Sequence, residues 1–168
     1  SSFDSDTCVP REYFAYLTYL YHTVPNPTRA SYQPIPLFNN NMWDAPAPIR
    51  VAAFGTTFWL LSELGRPDAA MTFSSHSMPW KMLLDVGFWQ KDIVSEDSRI
   101  FLQGLIRYDG DYRIVPMYMG VNLDAVEGKS YWDSLKALYK QQRRWAWGVE
   151  HFPFMVEAFK RATNMPRS

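Results

Sequence analysis

The chain has 168 residues, of which 47% are hydrophobic and 17% are aromatic, and 17 basic residues balance 17 acidic ones. This composition indicates about one folded domain and excludes a peptide or a disordered linker. A net charge of zero gives no overall field that would attract nucleic acid or an acidic membrane. The single cysteine, Cys8, excludes an internal disulfide network and is expected to be a small buried apolar residue.

Strands and helices are predicted to alternate along the chain, which indicates an α/β domain with a mixed sheet flanked by helices. The stretch 49–65 is apolar but carries two charged residues, so it is predicted to be a buried helix and not a membrane span. Pro10 is expected in the first turn of the first helix, and Ser95 at the N-cap of the fourth. Strands are expected in residues 1–3, 31–36, 69–77 and 112–121, and helices in residues 11–22, 49–65, 79–87, 96–110 and 130–148.

The first acidic motif is DSD, with Asp4 and Asp6 separated by one residue after the first predicted strand. Two carboxylates at this spacing can share a Mg²⁺ or Mn²⁺ ion, a cation that also binds nucleotide phosphate oxygens. Aspartates are also common in turns because their side chains accept hydrogen bonds from nearby backbone N–H groups. Taken alone, the motif favours this ordinary turn.

The second acidic motif is SED, with Glu96 and Asp97 in the first turn of a predicted helix. A carboxylate here could be a general base that accepts a hydroxyl proton. Acidic residues in a first turn also simply complement the helix dipole, which favours the charged carboxylate and weakens it as a base. A catalytic role therefore requires burial or neighbouring acids that oppose the dipole.

The third motif is QQRRW near the end of the last long helix. Helical spacing places Gln141, Arg144 and Trp145 on one face, while Gln142 and Arg143 project elsewhere. A guanidinium suits a phosphate, and an indole stacks on the apolar face of a sugar ring. The alternatives are a core tryptophan beside solvated arginines, or a surface for nucleic acid or anionic lipid.

In this order, FDSDT, SED and QQRRW resemble the D-x-D, T-E-D and Q-x-x-R-W signatures of processive glycosyltransferases of family two, the group that includes cellulose, chitin and hyaluronan synthases. YQPIPLFNN and LLDVGFWQKDIVSEDSRIFLQG extend the resemblance over nearly the whole chain, although Ser95 replaces the usual threonine. The resemblance implies that residues 1–148 are the C-terminal portion of a GT-A catalytic domain. The nucleotide-binding half would be missing at the N-terminus, so the isolated fragment is expected to be inactive.

The resemblance implies an inverting, metal-dependent hexosyltransferase in polysaccharide synthesis. It would move a sugar from a nucleotide-sugar donor, expected to be UDP-linked, to a saccharide or lipid-linked acceptor. Asp4 and Asp6 would hold Mg²⁺ or Mn²⁺ and the diphosphate, with Asp6 as the more direct metal ligand. Asp97 would be the general base, with Glu96 beside it in the acceptor pocket.

The resemblance also implies roles for the third motif. Gln141 and Arg144 would hold the diphosphate leaving group, and Trp145 would stack on the acceptor sugar. Asp6, Asp97 and Arg144 are then expected to converge on one cleft. Because relatives often have small residues lining the acceptor channel near position 76, His76 could contact the acceptor, although a structural histidine capping a turn is the favoured alternative.

The C-terminal residues 149–168 are predicted to form an amphipathic helix, with apolar side chains at Phe152, Met155, Val156 and Phe159. This helix could lie on a membrane interface or cover the core of the domain. The resemblance implies a membrane-anchored protein with this domain at the cytoplasmic face of the cell membrane. The net charge of zero and the two acidic motifs argue against a nucleic-acid partner. The alternative function is a non-catalytic binding or scaffold module that retains the glycosyltransferase fold.

Overall fold

The computed structural model describes residues 1–161, except for the side chains of residues 148 and 149. The described range contains both helices and strands, as expected for an α/β domain, but three consecutive helices separate the two strands, so the predicted regular alternation is not found. The elements are α1 (Tyr13–Thr23), β1 (Ala30–Leu37), α2 (Ala47–Leu64), α3 (Trp80–Val86), α4 (Glu96–Arg107), β2 (Arg113–Asn122), α5 (Tyr131–Ala146) and α6 (His151–Arg161), with short 3₁₀ helices at Pro27–Arg29 and Trp147–Glu150.

The sheet described within residues 1–161 consists of β1 and β2, which pair in parallel with an irregularity between Gln33 and Ile35. Within residues 1–161 the outer edge of each strand carries no continuous ladder, which explains how β1 tolerates two prolines. The predictions of strands at 31–36 and 112–121 are confirmed. Antiparallel neighbours contribute only the isolated bridges Ser2 to His76, Tyr32 to Ser77 and Cys8 to Asn122.

The predictions of strands at 1–3 and 69–77 were therefore wrong, because each segment makes isolated bridges and no continuous ladder. Both segments are rich in serine, whose hydroxyl competes with the backbone for hydrogen-bond partners. The Ser1 and Ser77 hydroxyls, for example, bond to each other at 2.6 Å. The mixed sheet exists only as a parallel pair extended by single antiparallel bridges.

Helices cover both faces of this sheet. Consecutive strand residues point to opposite faces, and in β2 Ile114 joins a cluster with Ile100 of α4 while Val115 joins a cluster with Tyr13 of α1. All are at most 8% exposed. A third, smaller cluster lies around Ile49 of α2. The flanked sheet thus positions the start of α4 and the loop before α1 near the same end of the structure.

The predicted boundaries of the helices hold with small corrections. Pro10 precedes α1 instead of occupying its first turn, and its carbonyl accepts the Tyr13 N–H at 3.1 Å. Gly87 ends α3 in the left-handed conformation with φ of 79°, which glycine adopts at little cost. Ser95 occupies the N-cap position of α4, but its side chain makes no capping bond. Its hydroxyl instead donates to Glu150 Oε1 at 2.6 Å.

The prediction that α2 is a buried helix was wrong. Only one side of α2 contacts the domain, and Phe54, Phe58 and Trp59 on the other side are more than half exposed. The helix is apolar around its whole circumference, so one neighbouring surface cannot cover it. Cys8 is also exposed and not buried as expected, because it lies on the sheet edge beside Asn122. Within residues 1–161 no helix combines the length and hydropathy needed to cross a bilayer.

Helix α6 confirms the predicted helix as far as Arg161, and residues 162–168 of that prediction lie outside the described range. Its two sides differ. Phe154 and Met155 pack against the cluster around Ile100, so this side covers the core of the domain. Phe152 and Phe159 are exposed on the other side.

Arg99 of α4 connects α6 and the preceding 3₁₀ helix to the domain. It is 5% exposed, and its guanidinium donates to Gln90 Oε1 at 3.0 Å, the Glu150 carbonyl at 3.2 Å and His151 Nδ1 at 3.1 Å. The guanidinium carbon also lies 4.1 Å from the Phe154 ring centroid. One buried cation thus fixes the chain that follows QQRRW onto the helix that carries Asp97.

We therefore expect Arg99→Ala to lower the free energy of unfolding by about 3 kcal/mol, because it removes charged hydrogen bonds and leaves buried acceptors unpaired. Urea unfolding of the full-length protein measures this change. Arg107→Ala is the matched control, since Arg107 lies exposed on the same helix and makes a single carbonyl contact at 3.2 Å. Equal losses in the two variants would contradict the anchoring role of Arg99.

Candidate active site

Asp4 lies on the loop before α1 and is exposed. Its Oδ2 accepts a hydrogen bond from the Ser74 hydroxyl at 2.5 Å, and its N–H lies 3.4 Å from Ser75 Oγ. The Asp4 carbonyl accepts the Thr7 N–H at 3.0 Å, which closes the DSD turn. The carboxylate is therefore held by neighbours and still open to a ligand.

Asp6 has a different environment on the same loop. Its Oδ2 accepts the backbone N–H of Asp124 at 3.0 Å, and its carbonyl accepts the Asn40 side-chain amide at 2.9 Å. Part of the Asp6 carboxylate is thus used as an ordinary turn acceptor, which is the alternative that the sequence left open. The structure places Asp4, and not Asp6, as the more open of the two carboxylates.

Asp97 lies in the first turn of α4 and is largely enclosed. Its Oδ1 accepts the Ser98 N–H at 2.8 Å, and its carbonyl accepts the Thr72 hydroxyl at 2.5 Å. Burial raises the pKa of Asp97, the Ser98 N–H lowers it, and the negative charges of Glu96 and Asp4 raise it further. Burial and neighbouring acids are the two conditions that a catalytic role required at this helix terminus.

The first two motifs are far apart in sequence but are linked through one short segment, because the Ser74 hydroxyl donates to the Asp4 carboxylate and the Thr72 hydroxyl donates to the Asp97 carbonyl. Glu96 is exposed beside them. Three carboxylates from two separate segments, those of Asp4, Glu96 and Asp97, therefore lie in this part of the structure. A partly buried carboxylate with a raised pKa, such as that of Asp97, is typical of functional sites.

The third motif lies on α5, which packs against α2. Gln141 and Trp145 line a narrow groove between these helices, but Gln142 and Leu138 line it too. The expectation that Gln142 projects elsewhere was wrong, because positions 138, 142 and 145 share the helix face that meets α2. Arg144 is exposed and does not line the groove.

The DSD loop is hydrogen-bonded to the segment that lines this groove. Asp124, whose N–H binds Asp6, is followed directly by Ala125 and Val126, which line the groove with Gln141. Within residues 1–161, however, Arg144 forms no hydrogen bond or ion pair with Asp6 or Asp97. Asp4 and Asp97 are linked through residues 72–74, whereas the expected convergence of Asp6, Asp97 and Arg144 on one cleft stays a prediction.

The comparison with family models decides the assignment. A model described as glycosyl transferase family group 2 matches residues 2–165. The chain belongs to this family. No curated protein and no solved structure matches the chain significantly. Membership supports glycosyltransferase activity in general, with a nucleotide-sugar donor and an acceptor as substrates.

The acidic residues of this glycosyltransferase domain fit one mode of divalent-metal binding. Within the described part of the chain, no three His, Cys, Asp or Glu side chains gather as a metal site. A Mg²⁺ or Mn²⁺ ion in nucleotide enzymes, however, takes one or two carboxylates and completes its shell with phosphate oxygens and water. Asp4 and Asp6 are the carboxylates that could hold such an ion.

His76 of the glycosyltransferase domain is 2% exposed and forms a turn contact. Its Nδ1 donates to the Phe73 carbonyl at 2.9 Å, and burial lowers its pKa to about 4, so the ring is neutral near pH 7. This supports the structural histidine that the sequence favoured. Sequence reasoning did not single out its neighbours Thr72, Ser74 and Ser75, because serine and threonine carry no signal of a distant partner.

Asp97→Asn is expected to stabilise the glycosyltransferase at neutral pH. The folded-state pKa of Asp97 is raised above its ordinary value of 3.8, so the charged form is penalised only in the folded protein. Stability is therefore lost as pH rises from the ordinary pKa through the folded pKa. Asparagine removes this loss and still accepts the Ser98 N–H. We therefore expect Asp97→Asn to have a higher Tm than the unaltered protein at pH 7, and the difference in Tm between the two proteins to be smaller at pH 4. A lower Tm at pH 7 would contradict the account.

Proposed function

We propose that the domain transfers a hexose from a UDP-linked donor to a saccharide or lipid-linked acceptor, with inversion at the anomeric carbon and Asp97 as the general base. The observation that carries this proposal is the partly buried carboxylate of Asp97, which residues 72–74 link to Asp4 by hydrogen bonds. Inverting transfer needs a base for the acceptor and charge stabilisation for the donor phosphates. The family match supports the substrate classes.

In the proposed reaction, a hydroxyl oxygen of the acceptor forms a bond to the anomeric carbon while the bond from that carbon to the diphosphate oxygen breaks. Asp97 takes the hydroxyl proton, and the electron pair of the broken bond leaves with the nucleoside diphosphate. A raised pKa makes the carboxylate a better proton acceptor. Asp4 and Asp6 would hold the divalent ion, which when bound supplies positive charge for the diphosphate.

We assign the leaving group and the acceptor to α5. Arg144 is an exposed guanidinium that could bind the diphosphate, with Gln141 one helical turn before it. Trp145 is 41% exposed and offers part of its indole face for stacking on the acceptor sugar. Glu96, exposed beside Asp97, would line the acceptor side.

We also propose that the domain is the GT-A catalytic part of a synthase anchored in the cell membrane and facing the cytoplasm. The mixed α/β architecture with a small parallel sheet is consistent with such a domain. The exposed apolar side of α6 supports contact with a membrane interface, since Phe152 and Phe159 precede exposed Lys160 and Arg161.

The test is transfer of radiolabelled sugar by the full-length protein in membranes, across a panel of nucleotide sugars with and without EDTA. Incorporation from one donor that EDTA removes and added Mg²⁺ or Mn²⁺ restores would support the proposal. No incorporation from any donor by folded protein would contradict it and favour the non-catalytic binding or scaffold module. Incorporation that EDTA leaves unchanged would contradict the metal role of Asp4 and Asp6.

A further inference from the structure

A polar segment between α2 and α3, residues 72–77 (TFSSHS), contacts both acidic motifs. The Thr72 hydroxyl donates to the carbonyl of Asp97 at 2.5 Å. Two residues later, the Ser74 hydroxyl donates to the carboxylate of Asp4 at 2.5 Å. One short segment therefore contacts both the proposed base and the proposed diphosphate site.

The same segment holds the backbone of the DSD loop. The Ser75 hydroxyl is 2.7 Å from the Thr7 hydroxyl and 3.4 Å from the Asp4 N–H. The Ser2 N–H donates to the His76 carbonyl at 2.8 Å. These hydrogen bonds hold the loop before, within and after DSD. A displacement of residues 72–77 would therefore also displace Asp4.

The segment is itself fixed to β1. Gln33 is fully buried, and its Oε1 accepts the Phe73 N–H at 3.0 Å. Ser77 and Tyr32 exchange backbone hydrogen bonds at 2.7 and 2.9 Å, and the Tyr13 hydroxyl lies 2.8 Å from Ser77 Oγ. Because this segment is hydrogen-bonded to the buried strand β1, it can hold both acidic motifs in fixed positions relative to that strand.

The backbone of residues 72–77 is also shaped by these contacts. Ser75 has φ of 61°, in the left-handed region that non-glycine residues rarely adopt. Such a conformation persists where surrounding contacts over-determine it. In this turn the consecutive hydroxyls of Ser74 and Ser75 both reach the DSD loop, while His76 stays neutral beside them.

We propose that residues 72–77 set the position of Asp4 relative to Asp97, with Ser74 as the positioning residue for the donor side and Thr72 as the positioning residue for the base. This proposal rests on the function proposed above. It assigns distinct effects to the two residues, because Ser74 contacts the carboxylate for the diphosphate and Thr72 contacts the backbone of the base. Small displacements at reacting groups have large effects on rate.

The kinetic test uses Ser74→Ala and Thr72→Val in the full-length protein. Ser74→Ala is expected to raise the donor KM about ten-fold with a smaller change in kcat, since it removes a bond to a charged group. Thr72→Val is expected to lower kcat about ten-fold with little change in the donor KM. Ser74→Thr and Thr72→Ser keep the hydroxyls and should restore most of the activity.

The matched control is Ser62→Ala, because the Ser62 hydroxyl is exposed on α2 and bonds only within its own helix, to the Trp59 carbonyl at 2.8 Å. It should leave both kinetic constants unchanged. If Ser74→Ala and Thr72→Val behave like Ser62→Ala, the positioning role is overturned. Equal effects of both variants on kcat and KM, without rescue by the hydroxyl variants, would overturn it as well.

A second measurement does not depend on activity. Amide hydrogen exchange should become faster around Asp4 in Ser74→Ala and in the first turn of α4 in Thr72→Val, and unchanged in Ser62→Ala. A protein that transfers no sugar would contradict the proposed function, whereas this exchange pattern would still report the positioning contacts. Unchanged exchange at both motifs would overturn the positioning proposal on its own.

Discussion

Asp97→Asn is expected to reduce sugar transfer by about 10³-fold, the usual contribution of a positioned general base. The amide has the size of the carboxyl group and keeps the oxygen that accepts the Ser98 N–H at 2.8 Å. It cannot take a proton from the acceptor hydroxyl. The measurement is radiolabelled transfer under saturating donor, together with donor binding, which should stay within about twofold of the unaltered protein because Asp97 acts on the acceptor.

The control for this variant is Asp68→Asn, which removes one carboxylate charge from an exposed turn after α2. It should transfer sugar at the original rate. Because the pKa of Asp97 is raised, the acidic limb of the kcat/KM profile should also lie above the pH at which an ordinary aspartate ionises, and this limb should disappear with Asp97→Asn. Near-normal transfer by Asp97→Asn would remove Asp97 from the mechanism.

Arg144→Ala is expected to lower kcat/KM for the nucleotide sugar by about 10²-fold, the loss typical of removing one donor that stabilises charge in the transition state. Arg144 is exposed on α5 and is involved in no ion pair among residues 1–161, so its charge is free to bind a diphosphate. Steady-state kinetics across donor concentrations measures the loss. The residual activity should show weaker inhibition by free nucleoside diphosphate.

The chain supplies its own control in Arg143→Ala. Arg143 has the same charge and is equally exposed, but it lies on a different side of α5. Its loss should change kcat/KM by less than about twofold, as for an ordinary surface substitution. Equal losses in the two variants would show a general effect of positive charge on α5 and would contradict the assignment to Arg144.

Much of the helical structure could be predicted because its boundaries have local causes. Gly87 ends α3 by adopting positive φ, and Ser130 begins α5 by accepting the Asp133 N–H at 3.2 Å. Both signals depend on neighbouring residues only. The strands expected at 1–3 and 69–77 failed for the opposite reason, since their serines bond to distant partners such as Asp4 and Thr7.

In the candidate site, too, the features with local causes could be predicted and those that depend on distant residues could not. The spacing of Asp4 and Asp6, and the helix position of Asp97, were visible in the sequence, but the link from Asp4 to Asp97 through residues 72–74 is a product of the fold. Helical periodicity grouped Gln141 with Trp145, yet it could not show which flanking residues would face α2. Packing decided that Gln142 faces the groove and that Arg144 does not line it.

The contribution of residues 72–77 could not be predicted from the sequence at all. Serine and threonine are common in surface turns, where their hydroxyls bond locally or to water. Here Thr72 is 1% exposed and bonds across 25 positions to Asp97. Only the folded chain shows that the Ser74 hydroxyl contacts the carboxylate of Asp4 and the Thr72 hydroxyl contacts the backbone carbonyl of Asp97.

The configuration of the newly formed glycosidic bond tests the central claim most directly. The full-length protein is supplied with a donor of known anomeric configuration, carrying ¹³C at the anomeric carbon, and the product is examined by NMR. A single displacement assisted by Asp97 predicts that the configuration at this carbon is inverted in the product. A product that retains the configuration of the donor would contradict the account, because Asp97 could then not act only as a base toward the acceptor.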